Sequence, residues 1–114
     1  MHPYIDIGGI RVLFTLEEYY EKSISIIVYV FDEDSVLLAR ADVLILYDRV
    51  KNRYVTPIFE KLDFYEPDLM KRALLHDSIM SSLVLFLGHF GYEEKITVMI
   101  NNGYGVSVMT EIKA

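Results

Sequence analysis

The stretch PDLMKRALLHDSIMSSLVLFLG, Pro67 to Gly88, is the long segment of this chain whose apolar residues recur at helical rather than strand spacing. At about 100° per residue, Leu69, Ala73, His76, Met80, Leu83, Val84 and Leu87 share one face, while Lys71, Ser78, Ser82 and His89 lie opposite. The spacing predicts one amphipathic helix with the first of these faces turned to the core. Asp63 or Glu66 is the expected cap, Pro67 is favourable in a first turn, and the Asp68 carboxylate complements the positive helix end. Gly88 or Gly91 is the expected stop.

Upstream of this segment the period changes to two. Met1 to Gly9 contains Pro3 and Gly8-Gly9, which mark a turn before the first strand. In that strand Ile10, Val12, Phe14 and Leu16 alternate with Arg11, Leu13 and Thr15. Thr15-Leu16-Glu17-Glu18 has the capping-box pattern, but Tyr19 and Tyr20 are good strand residues, so Glu17 to Lys22 is read as an extended strand end. Ser23 to Phe31 follows as a strand apolar on both faces. Asp32-Glu33-Asp34-Ser35 has hairpin length and lacks the spread ligands and bend glycine of a calcium loop. Val36 to Tyr47 puts Leu37, Ala39, Ala41, Val43, Ile45 and Tyr47 on one face and Val36, Leu38, Arg40, Asp42, Leu44 and Leu46 on the other. Tyr54 to Phe59 is a short strand whose Pro57 cannot donate a ladder hydrogen bond, so it is expected at an edge or a bulge. Glu60 to Glu66 reads as a polar connection with Leu62, Phe64 and Tyr65 plugging the end of the core.

Downstream, Lys95 to Ile100 and Gly105 to Ile112 read as two strands joined at Asn101-Asn102-Gly103-Tyr104, a strong hairpin signal. The expected fold is therefore a single α+β domain over residues 1–114. Its largely antiparallel sheet has about five to six strands: a four-strand meander, then the long helix on one face, then a C-terminal hairpin. A helix about 30 Å long covers three or four strands spaced ~4.8 Å apart, which leaves the second face open. Strands two and three are apolar there, where a half-solvated antiparallel sheet should alternate. Either the sheet curls on itself or a second copy closes it. An exposed patch of Ile27, Tyr29, Phe31, Leu38, Leu44 and Leu46 favours a symmetric homodimer.

Composition narrows the chemistry. A chain of 114 residues with 53% hydrophobic residues suits one packed domain and excludes global disorder. Unbroken apolar runs such as Val43–Tyr47 and Leu83–Leu87 have five residues, against the ~20 of a membrane span. The N-terminus, with Asp6 and two glycines close behind Met1, is unlike a signal peptide, so a soluble, cytoplasmic protein is expected. The absence of cysteine removes disulfides, thiolate nucleophiles, iron–sulfur clusters and cysteine zinc sites. Many Ile and Val with no Cys and no Trp lean toward a heat-adapted source. A net charge of −6 opposes simple coating of nucleic acid or an anionic membrane, though a local basic patch remains compatible with it.

Three clusters carry what chemistry there is. Arg40 and Asp42 lie two apart on one strand face, either as a ligand-binding pair with Arg40 holding a carboxylate or phosphate, or as an ion pair at a dimer seam that sets register. His76 falls on the apolar helix face and is the one candidate acid or base. Arg49, Lys51 and Arg53 beside Tyr47 and Tyr54 form a basic, aromatic hairpin prong suited to phosphates and stacked bases. His2, His76 and His89 show no metal-ligand spacing, and no nucleophilic triad, Walker loop or dinucleotide fingerprint occurs, so no metal or cofactor is expected. The reading is a small non-enzymatic interaction protein, homodimeric, engaging a protein or nucleic acid through the prong. The alternative is a small enzyme or ligand-binding domain with a helix–sheet pocket near His76 and Arg40.

Overall fold

Alternation of period two is realised as a five-strand antiparallel meander. The computed structural model describes residues 2–20, 22–101 and 109–111, giving only the backbone of 2, 98–101 and 109–111. The strands are β1 (His2–Ile7), β2 (Ile10–Tyr19), β3 (Ser23–Phe31), β4 (Leu37–Asp48) and β5 (Arg53–Phe64). Helices α1 (Leu69–Phe90) and α2 (Glu93–Asn101) follow, then a short strand β6 (Met109–Glu111). The sheet order is β5-β4-β3-β2-β1-β6, with β6 parallel to β1 and every other pairing antiparallel. This is the expected α+β architecture, with α1 packed on one face of the sheet.

The alternation in β2 and β4 marks the core face, and β3, apolar on both faces, takes its core face from its pairing with them. Val12, Phe14, Ile24, Ile26, Val28, Val30, Ala39, Ala41, Val43 and Ile45 are all fully buried beneath the helix. Phe14 stacks on Phe86 of α1 with ring centroids 4.5 Å apart, which fixes the helix over the middle of the sheet. Glu17 to Tyr19 continue β2 as an extended strand end, past a bulge between Leu16 and Glu18.

Several expectations require correction. Residues before Gly8 are a strand, and Gly8 and Gly9, at φ of 54° and 84°, form the turn that joins it to β2. The segment from Glu60 is no connection: β5 runs on to Phe64 and stays paired with β4. Two register shifts there leave Val55 and Glu60 as the extra residues of bulges, and these bulges broke the alternation that marks a strand. Pro57 lies in this edge strand, where its missing donor is tolerated. Residues 95–100 belong to α2, not to a strand. Their β-branched content suggested a strand, but Glu93 and Glu94 favour a helix start, and Ile96 fills the core from the helix. The turn at residues 102–104 and most of the strand expected over 105–112 lie outside the described residues.

Helix α1 begins two residues later than expected and is capped by Asp68, which accepts from the backbone N–H of Met70 at 2.9 Å and of Lys71 at 3.3 Å. Its rotation also differs. The buried residues are Leu75, Ile79, Ser82, Leu83, Phe86 and Leu87, while Leu69, Met80 and Val84 face outward. The helix is apolar nearly all round, so periodicity alone selected a stripe displaced from the true one. In length and mean hydropathy, 1.3 over an 18-residue window, α1 also meets the composition of a membrane span, although a third of that window is buried against the protein.

At its C-terminus α1 meets β5. Gly91 N–H bonds the Leu87 carbonyl at 2.9 Å, and the Gly91 carbonyl accepts from Tyr54 N–H at 2.7 Å. A Cβ at Gly91 would lie 2.4 Å from Leu87 O and 2.6 Å from Tyr54 O. The stop residue is glycine for that close approach, since its φ of −69° is open to any residue.

Candidate interaction site

The side chains between the buried alanines of β4 point away from α1. Arg40 lies between Ala39 and Ala41, both fully buried, so it projects from the open face of the sheet together with Asp42, Leu44 and Leu46. Cross-strand partners share a face, which adds Tyr29, Ile27 and Ser25 from β3 and Asp63, Lys61 and Ile58 from β5. Leu13 and Thr15 of β2 extend the surface beyond β3.

Four charges stand together on β4 and the edge strand β5. Arg40 Nε donates to Asp42 Oδ1 at 3.3 Å along β4, and Lys61 Nζ lies 3.5 Å from Asp63 Oδ2 along β5. Across the strands Arg40 pairs with Asp63 and Asp42 with Lys61. The hydrogen bond to Asp42 raises the Arg40 guanidinium above its already high range, and the Tyr29 phenol adds to the effect. The guanidinium carbon sits 5.6 Å from the Tyr29 ring centroid. Farther along the face Arg11 bonds Asp6 at 3.0 Å and lies 4.4 Å from the Tyr4 ring. Ile27 is buried on this side, outside the helix-side core.

Lys61 and Asp63 are not singled out by the sequence, because the bulge at Glu60 breaks the alternation and makes their segment read as a connection. Lys61-Leu62-Asp63 nevertheless alternates charged and apolar residues as a strand does. Leu38, grouped with the open-face residues from sequence, packs against the helix-side core. The register shift between Val30 and Phe31 interrupts the alternation there.

His76 is placed elsewhere than expected. Its side chain is 50% exposed at the flank of α1, where its ring stacks near Phe59 of β5 with centroids 6.4 Å apart. Asp77 approaches its Nδ1 only to 3.9 Å. The sheet separates His76 from Arg40, so no single pocket holds both. One cleft of about 570 Å³ lies among Asp6, Arg11, Leu13, Phe31 and Glu33, and another of about 240 Å³ among Ile7, Ile10, Leu38, Leu74 and Leu75. Neither includes His76 or Arg40.

The basic prong is divided. Arg49 and Lys51 are exposed at the tip, whose turn is held by Asp48 Oδ1 accepting from Val50 and Lys51 N–H groups at 2.9 and 3.1 Å. Arg53 folds inward instead. Its Nη2 donates to the Leu87 carbonyl at the end of α1, and its guanidinium lies 4.5 Å from the Tyr92 ring. Tyr54 is fully buried, with its ring edge-on to Tyr47 at 5.0 Å. Burial, with Tyr19 beside it, pushes the Tyr54 phenol well above its usual range. Among the described residues no group of three His, Asp or Glu side chains is placed to hold a metal ion. Comparison with protein-family models, curated proteins and solved structures finds no match.

Proposed function

We propose that this protein is a non-enzymatic interaction module whose contact surface is the open face of the sheet and whose partner is a protein. One observation carries the reading: Leu13, Ile27, Tyr29, Leu44 and Ile58 occupy the face opposite α1, where a solvated antiparallel sheet carries polar residues. The charges among them occur in pairs of opposite sign, Arg40 with Asp42 and Lys61 with Asp63. Such a surface offers nucleic acid no net positive field. The inward turn of Arg53 takes a third of the basic prong's charge away from the tip, and the whole chain carries −6. These features favour a protein partner over nucleic acid.

The test is site-specific photo-crosslinking in cells, with the reactive side chain at Leu44 on the open face or at Glu94 on the exposed side of α2. A discrete protein adduct from position 44 and none from 94 is expected. Nucleic-acid adducts from 44, or equal labelling from both positions, would overturn the reading.

A further inference from the structure

Asp63, Arg40, Lys61 and Asp42 occupy the corners of a two-by-two array on β4 and β5. Sign alternates along each strand, through the contacts at 3.3 and 3.5 Å. It also alternates across the strands, where directly opposed side chains stand about 5 Å apart. We propose, resting on the open face being the contact surface, that this face binds a second copy of the chain, face to face about a twofold axis lying in the plane of contact.

A twofold axis sets what the array must satisfy. An axis perpendicular to the strands, passing between the two rows of the array, lays Arg40 over the partner's Asp42 and Asp63 over the partner's Lys61. An axis parallel to the strands, passing between β4 and β5, lays Arg40 over the partner's Asp63 and Asp42 over the partner's Lys61. Under both operations all four contacts join opposite charges. An array with both cations on one strand would satisfy only one of the two. The alternating array is thus complementary to itself, which an isologous interface demands of its surface.

The apolar neighbours supply the association. Leu44 and Ile58 form the next row along the strands and meet the same row of the partner about the parallel axis, while Tyr29 of the adjoining β3 meets the partner's β3 about the perpendicular one. The ion pairs, losing water on contact, select the register. Half-exposure of Arg40, Asp42 and Asp63, at 39, 32 and 39%, leaves them free to meet a facing surface. The outer flank of α1 is apolar as well, but carries no such array.

The test inverts the array. Arg40→Asp, Asp42→Arg, Lys61→Asp and Asp63→Lys introduced together keep every neighbouring pair opposite in sign within the chain, and a circular-dichroism melt checks that the fold is retained. The inverted chain remains complementary to itself but meets the wild type with like charges at all four contacts. Native mass spectrometry of an equimolar mixture, one protein isotope-labelled, should show both homodimers and few mixed dimers. Mixed dimers at about half of the total, the proportion of unbiased pairing, would overturn the proposal, as would a wild type that stays monomeric at 100 μM, roughly the weak end of specific association. Arg40→Ala alone, which adds no like charge beside Asp42 and Asp63, should weaken dimerisation about tenfold or more; an unchanged dimer would contradict the proposal. A monomeric wild type that still crosslinks to another protein from position 44 would remove the second copy and leave the contact surface standing.

Discussion

The hydroxyl of Ser82 sits fully buried in α1 without a hydrogen-bond partner among the described residues. A buried, unbonded hydroxyl costs about 1–3 kcal/mol, so Ser82→Ala should stabilise the fold by about 1 kcal/mol, seen as a higher urea midpoint at unchanged slope. Arg53 is a mixed case: its buried Nε has no partner among the described residues, but its Nη2 gives the Leu87 carbonyl a second hydrogen bond beside that from Gly91 N–H. Arg53→Ala should cost about 1.5–3 kcal/mol, the range for a hydrogen bond to a charged group. Arg49→Ala and Lys51→Ala, at the exposed tip, should stay within about 0.5 kcal/mol of wild type. Equal effects of all three in thermal melts would contradict the division of the prong. Tyr54 adds a pH dependence. Its phenol is held protonated by burial in the folded state, so the unfolded chain ionises first, near pH 10, and stability falls as pH rises through and above that value. Tyr54→Phe should flatten this alkaline loss in melts recorded between about pH 8 and 11. The charge of Arg53 and the size of Tyr54 are legible in the sequence, but the inward turn of Arg53 is not, because its partner, the Leu87 carbonyl, lies more than thirty positions away.

Legibility at the level of the element follows periodicity. In β4, Ala39, Ala41, Val43 and Ile45 alternate with Arg40, Asp42 and Leu44, and the alternation alone assigned the two faces. In α1 no clean polar stripe exists, so periodicity places the outward Leu69, Met80, Val84 and His76 in the core and the buried Ser82 at the surface. The β5 bulges and the β-branched α2 hid their elements because the signal that normally marks them was broken or mimicked. The ends of α1 offer a check on the mechanism assigned to each. Asp68→Ala removes the acceptor for Met70 and Lys71 N–H and should cost about 1 kcal/mol. Gly91→Ala drives a Cβ into the Leu87 and Tyr54 carbonyl oxygens and should cost about 2 kcal/mol or more. A neutral Gly91→Ala in denaturant titration would mean that the α1–β5 junction is looser than its hydrogen bonds indicate.

For the molecule as a whole, the arrangement of six strands under one long helix leaves a face that no helix among the described residues is seen to cover. The chain spends apolar residues on that face and balances its charges there pair by pair. Arg40 and Asp42, readable from sequence as an ion pair, and the two-sided apolar character of β3 meet on that one face. His76 stands on the far side of the sheet. The basic tip keeps Arg49 and Lys51 exposed at one end of the β4–β5 hairpin, away from the array toward its other end.

The central claim, that contact is made through the open sheet face, is tested most directly by solvent paramagnetic relaxation of methyl groups in the labelled protein as its concentration is raised. The account predicts that the methyls of Leu13, Leu44, Leu46 and Ile58 become shielded together, while those of Leu69, Leu74 and Val84 on the outside of α1 stay as accessible as in dilute solution. Shielding of the α1 methyls with the sheet face left open would contradict it.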